Sequence, residues 1–188
     1  MFIQTEKTPN PLTLKFFPGR VVLEDGTVFF KNKDEAVGSP LAERIFNIDG
    51  VEGVFFGNDF ITVSKNEQNA WEDLKPILIV SITDHYNSNQ PVINTTGNFK
   101  KNTNESQNSE DTEIVKQIKE LLDTRVRPSV AMDGGDIIYK DFQDGIVFLQ
   151  MQGSCAGCPS STATLKMGIE NMLKHYVPEV REVQQVNE

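Results

Sequence analysis

The sequence predicts an α+β protein of two small mixed domains joined by a flexible linker. Three observations carry that prediction. Short apolar runs bounded by turn dipeptides alternate with stretches of helical periodicity at both ends of the chain. Between them, residues 87–109 are rich in Asn, Ser and Thr and poor in large apolar side chains. Near the C-terminal end a helix, a hairpin, a Cys-x-x-Cys loop and a second helix follow one another. The predicted divisions are an N-terminal domain over 1–86, a linker over 87–109 and a C-terminal domain over 110–188.

In the N-terminal block, Thr13-Leu14-Lys15-Phe16-Phe17 reads as a strand that ends at Pro18-Gly19, a turn dipeptide. Val21-Val22-Leu23 and Val28-Phe29-Phe30 flank a second turn at Glu24-Asp25-Gly26-Thr27. Ser39-Pro40 opens a helix, with Ser39 as N-cap and Pro40 at the first helical position. Leu41, Ile45 and Phe46 form its apolar stripe, and Gly50 closes it. Val54-Phe55-Phe56 and Phe60-Ile61-Thr62-Val63 make a hairpin across Gly57-Asn58-Asp59. A long helix follows from Gln68 to Tyr86, with Trp71, Leu74, Leu78 and Ile82 on one face. The doublets Phe16-Phe17, Phe29-Phe30 and Phe55-Phe56 place one ring on each face of their strands.

The linker cannot bury enough apolar surface to offset the entropy of ordering it. Val92, Ile93 and Phe99 interrupt it and read as stray apolar residues in a tether. The C-terminal block opens with a helix from 110 carrying Ile114, Val115, Ile118, Leu121 and Leu122, broken at Arg127-Pro128. Asp133-Gly134-Gly135-Asp136 turns the chain, its glycines supplying unusual backbone angles rather than its carboxylates a site. Ile137-Ile138-Tyr139 and Ile146 to Met151 pair across Asp144-Gly145. After the cysteines a helix runs from Pro159 to Tyr176, with Leu165, Ile169, Met172, Leu173 and Tyr176 inward. Val180 to Val186 adds an edge strand.

Composition narrows the function classes. The chain has 188 residues and a net charge of −9, which disfavours sequence-independent nucleic-acid binding. No apolar run reaches membrane-spanning length. Met1 to Pro9 lacks the basic start and apolar run of a signal peptide and the Arg-rich character of a transit peptide. Two cysteines make no disulfide framework, so the expectation is a cytosolic, cytoplasmic protein with reduced thiols.

Those cysteines, Cys155 and Cys158, lie in Gly153-Ser154-Cys155-Ala156-Gly157-Cys158-Pro159. Two thiols at this spacing bond one another or share one metal centre; they do not complete a four-thiolate site. If they bind metal, the chain holds half of the ligands and a second chain supplies the rest. Pro159 places Cys158 near a helix N-cap, where free amides and the helix dipole lower thiol pKa values and favour an anionic cluster. Gly153, Ala156 and Gly157 let backbone amides approach sulfur. A Cys-x-x-Cys pair alone leaves redox dithiol, partial metal site and incidental pair open. His85 ends a helix in the other block and reads as surface. His175 lies roughly 25 Å along the helix from the cysteines, too far to join them. Lys166 reads as a solvated charge.

Asp133-Gly134-Gly135-Asp136, the hairpin, Gly153 to Thr162 and Leu165-Lys166-Met167-Gly168-Ile169-Glu170 closely resemble the C-terminal domain of NifU-like (Nfu-type) iron–sulfur proteins. That likeness covers about Glu113 to Val183. Thr8-Pro9-Asn10-Pro11, Thr13-Leu14-Lys15-Phe16, Ser39-Pro40-Leu41-Ala42 and Val51 to Phe56 with Phe60 to Val63 resemble the N-terminal domain of the same family. The resemblance implies a scaffold or carrier, not an enzyme. Such a protein takes a cluster from an upstream donor and passes it to apo iron–sulfur proteins. It also implies that Cys155 and Cys158 of two subunits jointly bind a 4Fe-4S cluster, with 2Fe-2S as the other form, in a holo homodimer. The runner-up is a thiol–disulfide oxidoreductase using the same pair; the absence of an alternating βαβ order speaks against it. A pure binding module with accessory thiols is the third.

Overall fold

A computed structural model describes residues 2–94, 112–157 and 159–186, with the backbone alone at 159–161. The chain divides into two compact units, Met1–Asn102 and Thr103–Glu188. Among the described residues, no helix is long and apolar enough to cross a membrane.

The N-terminal unit is a five-stranded antiparallel sheet in the order β1-β2-β5-β4-β3. Its elements are β1 (Gln4–Lys7), β2 (Thr13–Phe17), β3 (Val28–Phe30), α1 (Pro40–Phe46), β4 (Val51–Phe56), β5 (Ile61–Lys65) and α2 (Trp71–Asn87). Alternation decides the faces. Phe16, Phe30 and Phe56 join Val54, Ile61 and Val63 in the core beneath Leu41 and Ile45 of α1 and Leu74, Leu78 and Ile82 of α2. Full burial of each such side chain stabilises the unit by about 1.5–3 kcal/mol. The second ring of each doublet points the other way. There Phe17, Phe29, Phe55 and Phe60 pack ring to ring at 6.0–6.4 Å, and Lys15 lies over Phe17 and Phe60.

The N-cap forms as the sequence predicts: Ala42 N–H donates to Ser39 Oγ, with Pro40 in the first turn. The Ser39 hydroxyl in turn donates to the Val92 carbonyl at 2.7 Å, and Asn94 N–H donates to the Gly38 carbonyl. Val92 and Ile93 pack against the core, so these two side chains are not stray apolars of a tether. Phe99 lies outside the described residues. β1 has no counterpart in the apolar pattern, because Gln4-Thr5-Glu6-Lys7 is a polar edge strand paired on one side only. Val21-Val22-Leu23 forms no strand; Val22 and Leu23 donate instead to the Asn58 carbonyl.

The C-terminal unit contains α3 (Glu113–Leu121), a π-helical turn (Leu122–Val126), α4 (Arg127–Met132), β6 (Gly135–Gln143), β7 (Ile146–Gly153), α5 (Pro159–Tyr176) and β8 (Glu182–Gln185). The expected break at Arg127-Pro128 is not there. The chain stays helical through 121–127, and the π turn carries it past Pro128. Proline lacks an N–H for the helical ladder. The wider turn, in which Arg127 N–H reaches back to the Leu122 carbonyl, absorbs that lack and puts Pro128 in the first turn of α4.

β6 and β7 form the expected hairpin, with Asp144 and Gly145 both at positive φ (52° and 82°), as a two-residue hairpin turn requires. β8 pairs with β7 in parallel, so β7-α5-β8 is a βαβ unit that the sequence reading did not anticipate. Ile118, Leu122, Ile137, Val147, Leu149, Ile169 and Leu173 centre the core. Tyr176 is exposed rather than inward; its ring meets His175 edge-on and carries the Arg125 guanidinium.

Candidate functional site

The cysteine loop begins where β7 ends. The register of the hairpin sets Gly135 opposite Gly153, and Ser154 N–H donates to the Gly134 carbonyl at 3.2 Å. The Ser154 hydroxyl bonds the Asp133 carbonyl. The Asp-Gly-Gly-Asp turn therefore anchors the residue just before Cys155 by backbone and side chain together. Thr162 Oγ1 in the first turns of α5 donates to the Cys155 carbonyl at 3.1 Å. Gly153 and Gly157 both take positive φ, 63° and 78°, so the loop turns sharply on either side of Cys155.

Cys155 carries a free thiol and is buried. A Cβ built on Gly135 would come within 2.6 Å of Cys155 Sγ and of the Gln152 carbonyl. Any side chain there would fill the space the sulfur occupies. The glycine is needed for that approach, which the sequence reading had ascribed to backbone angles alone. Burial pushes the Cys155 thiol up to about 12; Asp133 and Asp136 add to the rise, and Ser154 opposes it. This corrects the expected lowering at a helix start for this cysteine. Cys155 precedes α5 by four residues and sits in the core, where desolvation outweighs the dipole. Cys158, predicted to lie near the N-cap, falls outside the described residues.

Behind the loop lies a charged fork that the sequence reading missed. Arg127 Nε and Nη2 donate to the two carboxylate oxygens of Asp136, each at 2.9 Å, and Nη1 donates to Asp123 at 3.1 Å. Asp136 is 3% exposed, and its Oδ1 also accepts the Ile137 N–H. Burial alone depresses the Arg127 pKa, but the hydrogen bonds and charges of Asp136 and Asp123 reverse that and raise it. The fork ties the π turn and α4 to the start of β6, one residue from Gly135. No motif announces it, because Arg127 was legible only as the residue before a proline.

The remaining predicted residues lie apart. His175 is exposed near the far end of α5. Lys166 is half-buried, and its charge acts on Glu170, which accepts from Lys174 and from the Val183 N–H. His85 is fully buried, not on the surface: it sits edge-on to Tyr86 in the last turn of α2, and neither ring nitrogen makes a hydrogen bond of good geometry. Burial lowers its pKa, the Arg44 charge adds to this, and the Gln90 backbone works the other way. Among the described residues, no three of His, Cys, Asp and Glu gather as a metal site. Among the described residues, one thiol with the small neighbours Ala156 and Gly157 fits part of a half-site.

Residues 3–89 match a family model described as "Scaffold protein Nfu/NifU N terminal", and residues 118–184 match "NifU-like domain". The chain belongs to the Nfu/NifU family. Across 99% of its length it is 54% identical to human "NFU1 iron-sulfur cluster scaffold homolog, mitochondrial", of which it covers 72%. It is 53% identical over 98% of its length to Arabidopsis thaliana "NifU-like protein 4, mitochondrial", of which it covers 66%. A solution structure of a NifU-like protein from Saccharomyces cerevisiae is 31% identical, with a TM-score of 0.46, and covers 50% of this Nfu/NifU chain and 86% of its own. The relatives' names are mitochondrial, which overturns the cytoplasmic expectation. That expectation rested on reduced thiols and on the character of the first residues, and neither separates the two compartments.

Proposed function

We propose that this Nfu/NifU chain is a non-enzymatic iron–sulfur scaffold whose cargo, a 4Fe-4S cluster, is held between two copies by Cys155 and Cys158 of each. A 2Fe-2S cluster is the other form the same ligands accept. The observation that carries the reading is the seating of Cys155: a free thiol at a strand-to-helix loop, packed against a glycine that leaves room only for sulfur. Its relatives are named as scaffolds, and half a ligand set suits a protein that gives its cargo away.

The chemistry follows from the thiol's state. With its pKa at about 12, Cys155 rests as a neutral thiol. Loading exchanges the thiol proton for an iron–sulfur bond, and the proton leaves to solvent. The loop turns the sulfur out of its pocket on the glycine-rich segment 153–157. Delivery runs in reverse: a thiolate of the recipient bonds each iron as a Cys155 or Cys158 sulfur leaves and takes up a proton. Iron oxidation states do not change. An upstream donor fills the site and apo iron–sulfur proteins empty it.

The test is anaerobic reconstitution of the full chain, with Mössbauer spectra, iron and sulfide counts and mass in solution. The expected result is a dimer with one cluster. Equal loading of a Cys155→Ala, Cys158→Ala double variant would sink the proposal.

One observation favours the oxidoreductase reading. The β7-α5-β8 crossover places the cysteines at a strand-to-helix junction of a βαβ unit, so the argument from element order no longer opposes it. The raised Cys155 pKa does oppose it, since the thiolate is the nucleophile in disulfide exchange. Catalytic reduction of insulin disulfides by iron-free protein would favour this second reading.

A further inference from the structure

Resting on the shared-cluster reading above, we propose that the outer face of the first half of α5, with Met132 beside the loop, is the surface on which a second copy of this chain docks. Ala163, Thr164, Met167 and Gly168 are exposed on α5 while Ile169 and Leu173 face the core. Met167 is 66% exposed and Met132 77%. Among the described residues of the C-terminal unit these are the two most exposed large apolar side chains, one on α5 after the loop and one next to Asp133, which anchors it.

Gly168 sharpens the assignment. Glycine is the least favourable helix-interior residue after proline. Nothing lies within 4 Å of a Cβ built there, so the fold of one chain does not ask for it. Gly135 is the contrast, since its own chain fills the space a Cβ would need. A bare backbone on an exposed helix face is what close approach by another chain requires.

The occupant follows from the ligand count. Two thiols per chain leave a four-thiolate site half made, so the other two come from a second copy. Met167 and Gly168 lie eight and nine residues beyond Pro159, roughly 12–14 Å along the helix axis. Met132 adjoins Asp133, whose carbonyl accepts the Ser154 hydroxyl next to Cys155. A two-fold arrangement in which the two α5 helices run alongside each other from their loops brings these surfaces together. A two-fold axis through the cluster makes the contact isologous, Gly168 region to Gly168 region. Methionine, flexible and polarisable, suits a contact that forms on loading and parts on delivery.

The test uses the full chain with Gly168→Ala, Gly168→Leu and Met167→Glu, reconstituted anaerobically beside wild type. Iron per chain and mass in solution are read over a range of protein concentrations. The proposal expects apo Gly168→Ala to melt at or above wild type. It expects Gly168→Leu and Met167→Glu to need about tenfold more protein to reach half-dimer, with iron per chain falling in step. Met167→Glu alters an exposed side chain, so it decides the matter if Gly168→Leu fails to fold. Wild-type loading and dimerisation that both variants match would overturn the inference and leave the shared cluster standing. Loaded dimers that fail only in transfer to an apo-protein would overturn it in favour of a recipient surface. Wild-type protein that loads iron as a monomer would overturn both readings.

Discussion

The two units bury polar groups to different ends. In the N-terminal unit, the His85 ring nitrogens and the Tyr86 hydroxyl are buried without a hydrogen bond of good geometry, at the end of a helix whose other inward residues are aliphatic. In the C-terminal unit, Asp136, Gln152 and Ser154 are buried together at one end of the β6–β7 hairpin, around Cys155. Asp136 is held by the Arg127 fork and Ser154 by the Asp133 carbonyl. An orphaned buried polar atom costs about 1–3 kcal/mol, whereas a satisfied network specifies one arrangement. At His85 and Tyr86 buried polarity is a local liability, although Ser39 in the same unit is satisfied in both directions. In the C-terminal unit it is organised around a thiol. The difference separates the two units better than burial alone, because both have a buried apolar core.

Four measurements bear on that comparison, starting with the largest expected effect. Cys155 in the folded apo-protein should alkylate far more slowly than the same residue in denaturant, since a pKa near 12 against the ordinary 9.0 leaves about a thousandfold fewer thiolates at pH 8. A Cys158→Ser background and mass spectrometry isolate the site. The raised pKa also sets a pH window. The contribution of Cys155 to stability is complete below about pH 9.0 and is lost as pH climbs from there toward 12. Cys155→Ala should flatten that part of the melting curve. Alkylation at the denatured rate would show that the thiol is not enclosed.

Asp136→Ala comes next. It strands the Arg127 guanidinium with Asp123 as its remaining carboxylate partner in the fork, and should cost about 3 kcal/mol by denaturant unfolding. It should also speed Cys155 alkylation, because the fork braces the strand that carries Gly135. A stable variant with an unchanged thiol would mean that the fork does not position the loop.

Ser39→Ala should cost about 1 kcal/mol, through loss of the α1 cap and of the bond to the Val92 carbonyl. The single tryptophan, Trp71, lies in the N-terminal unit and reports its melting in the intact chain. Hydrogen exchange at Asn94, whose N–H donates to Gly38, should rise in the same variant.

The smallest effect concerns His85. Its folded pKa lies below the ordinary 6.5, so the unfolded chain takes up the proton first. Stability of the N-terminal unit is full above pH 6.5 and declines as pH falls below it. His85→Phe should remove that slope in the Trp71 signal. A slope that persists would assign it to other groups.

What could be read in advance follows from the range of each interaction. Ser39-Pro40, the Asp144-Gly145 turn and the alternating phenylalanines were legible because caps, turns and strand faces are set by neighbours a few residues apart. The role of Val92 was not, since its partner Ser39 is 53 positions away. The helical path through Pro128 was hidden because proline read locally says stop, and only packing shows that a π turn satisfies it. His85 looked like a surface residue for the same reason: a helix end is exposed unless another element covers it.

The sequence by itself determined the pairing of Cys155 with Cys158 in one loop, the small residues around them and the order of elements that carry them, since spacing and residue type are properties of the chain. Only the tertiary structure decided the state of Cys155, the parallel pairing of β8 and the fork behind the loop. Desolvation, strand register and a buried ion pair arise between residues that meet only on folding. Gly135 belongs to both: the sequence supplied a glycine, and the fold set a sulfur where its side chain would have been.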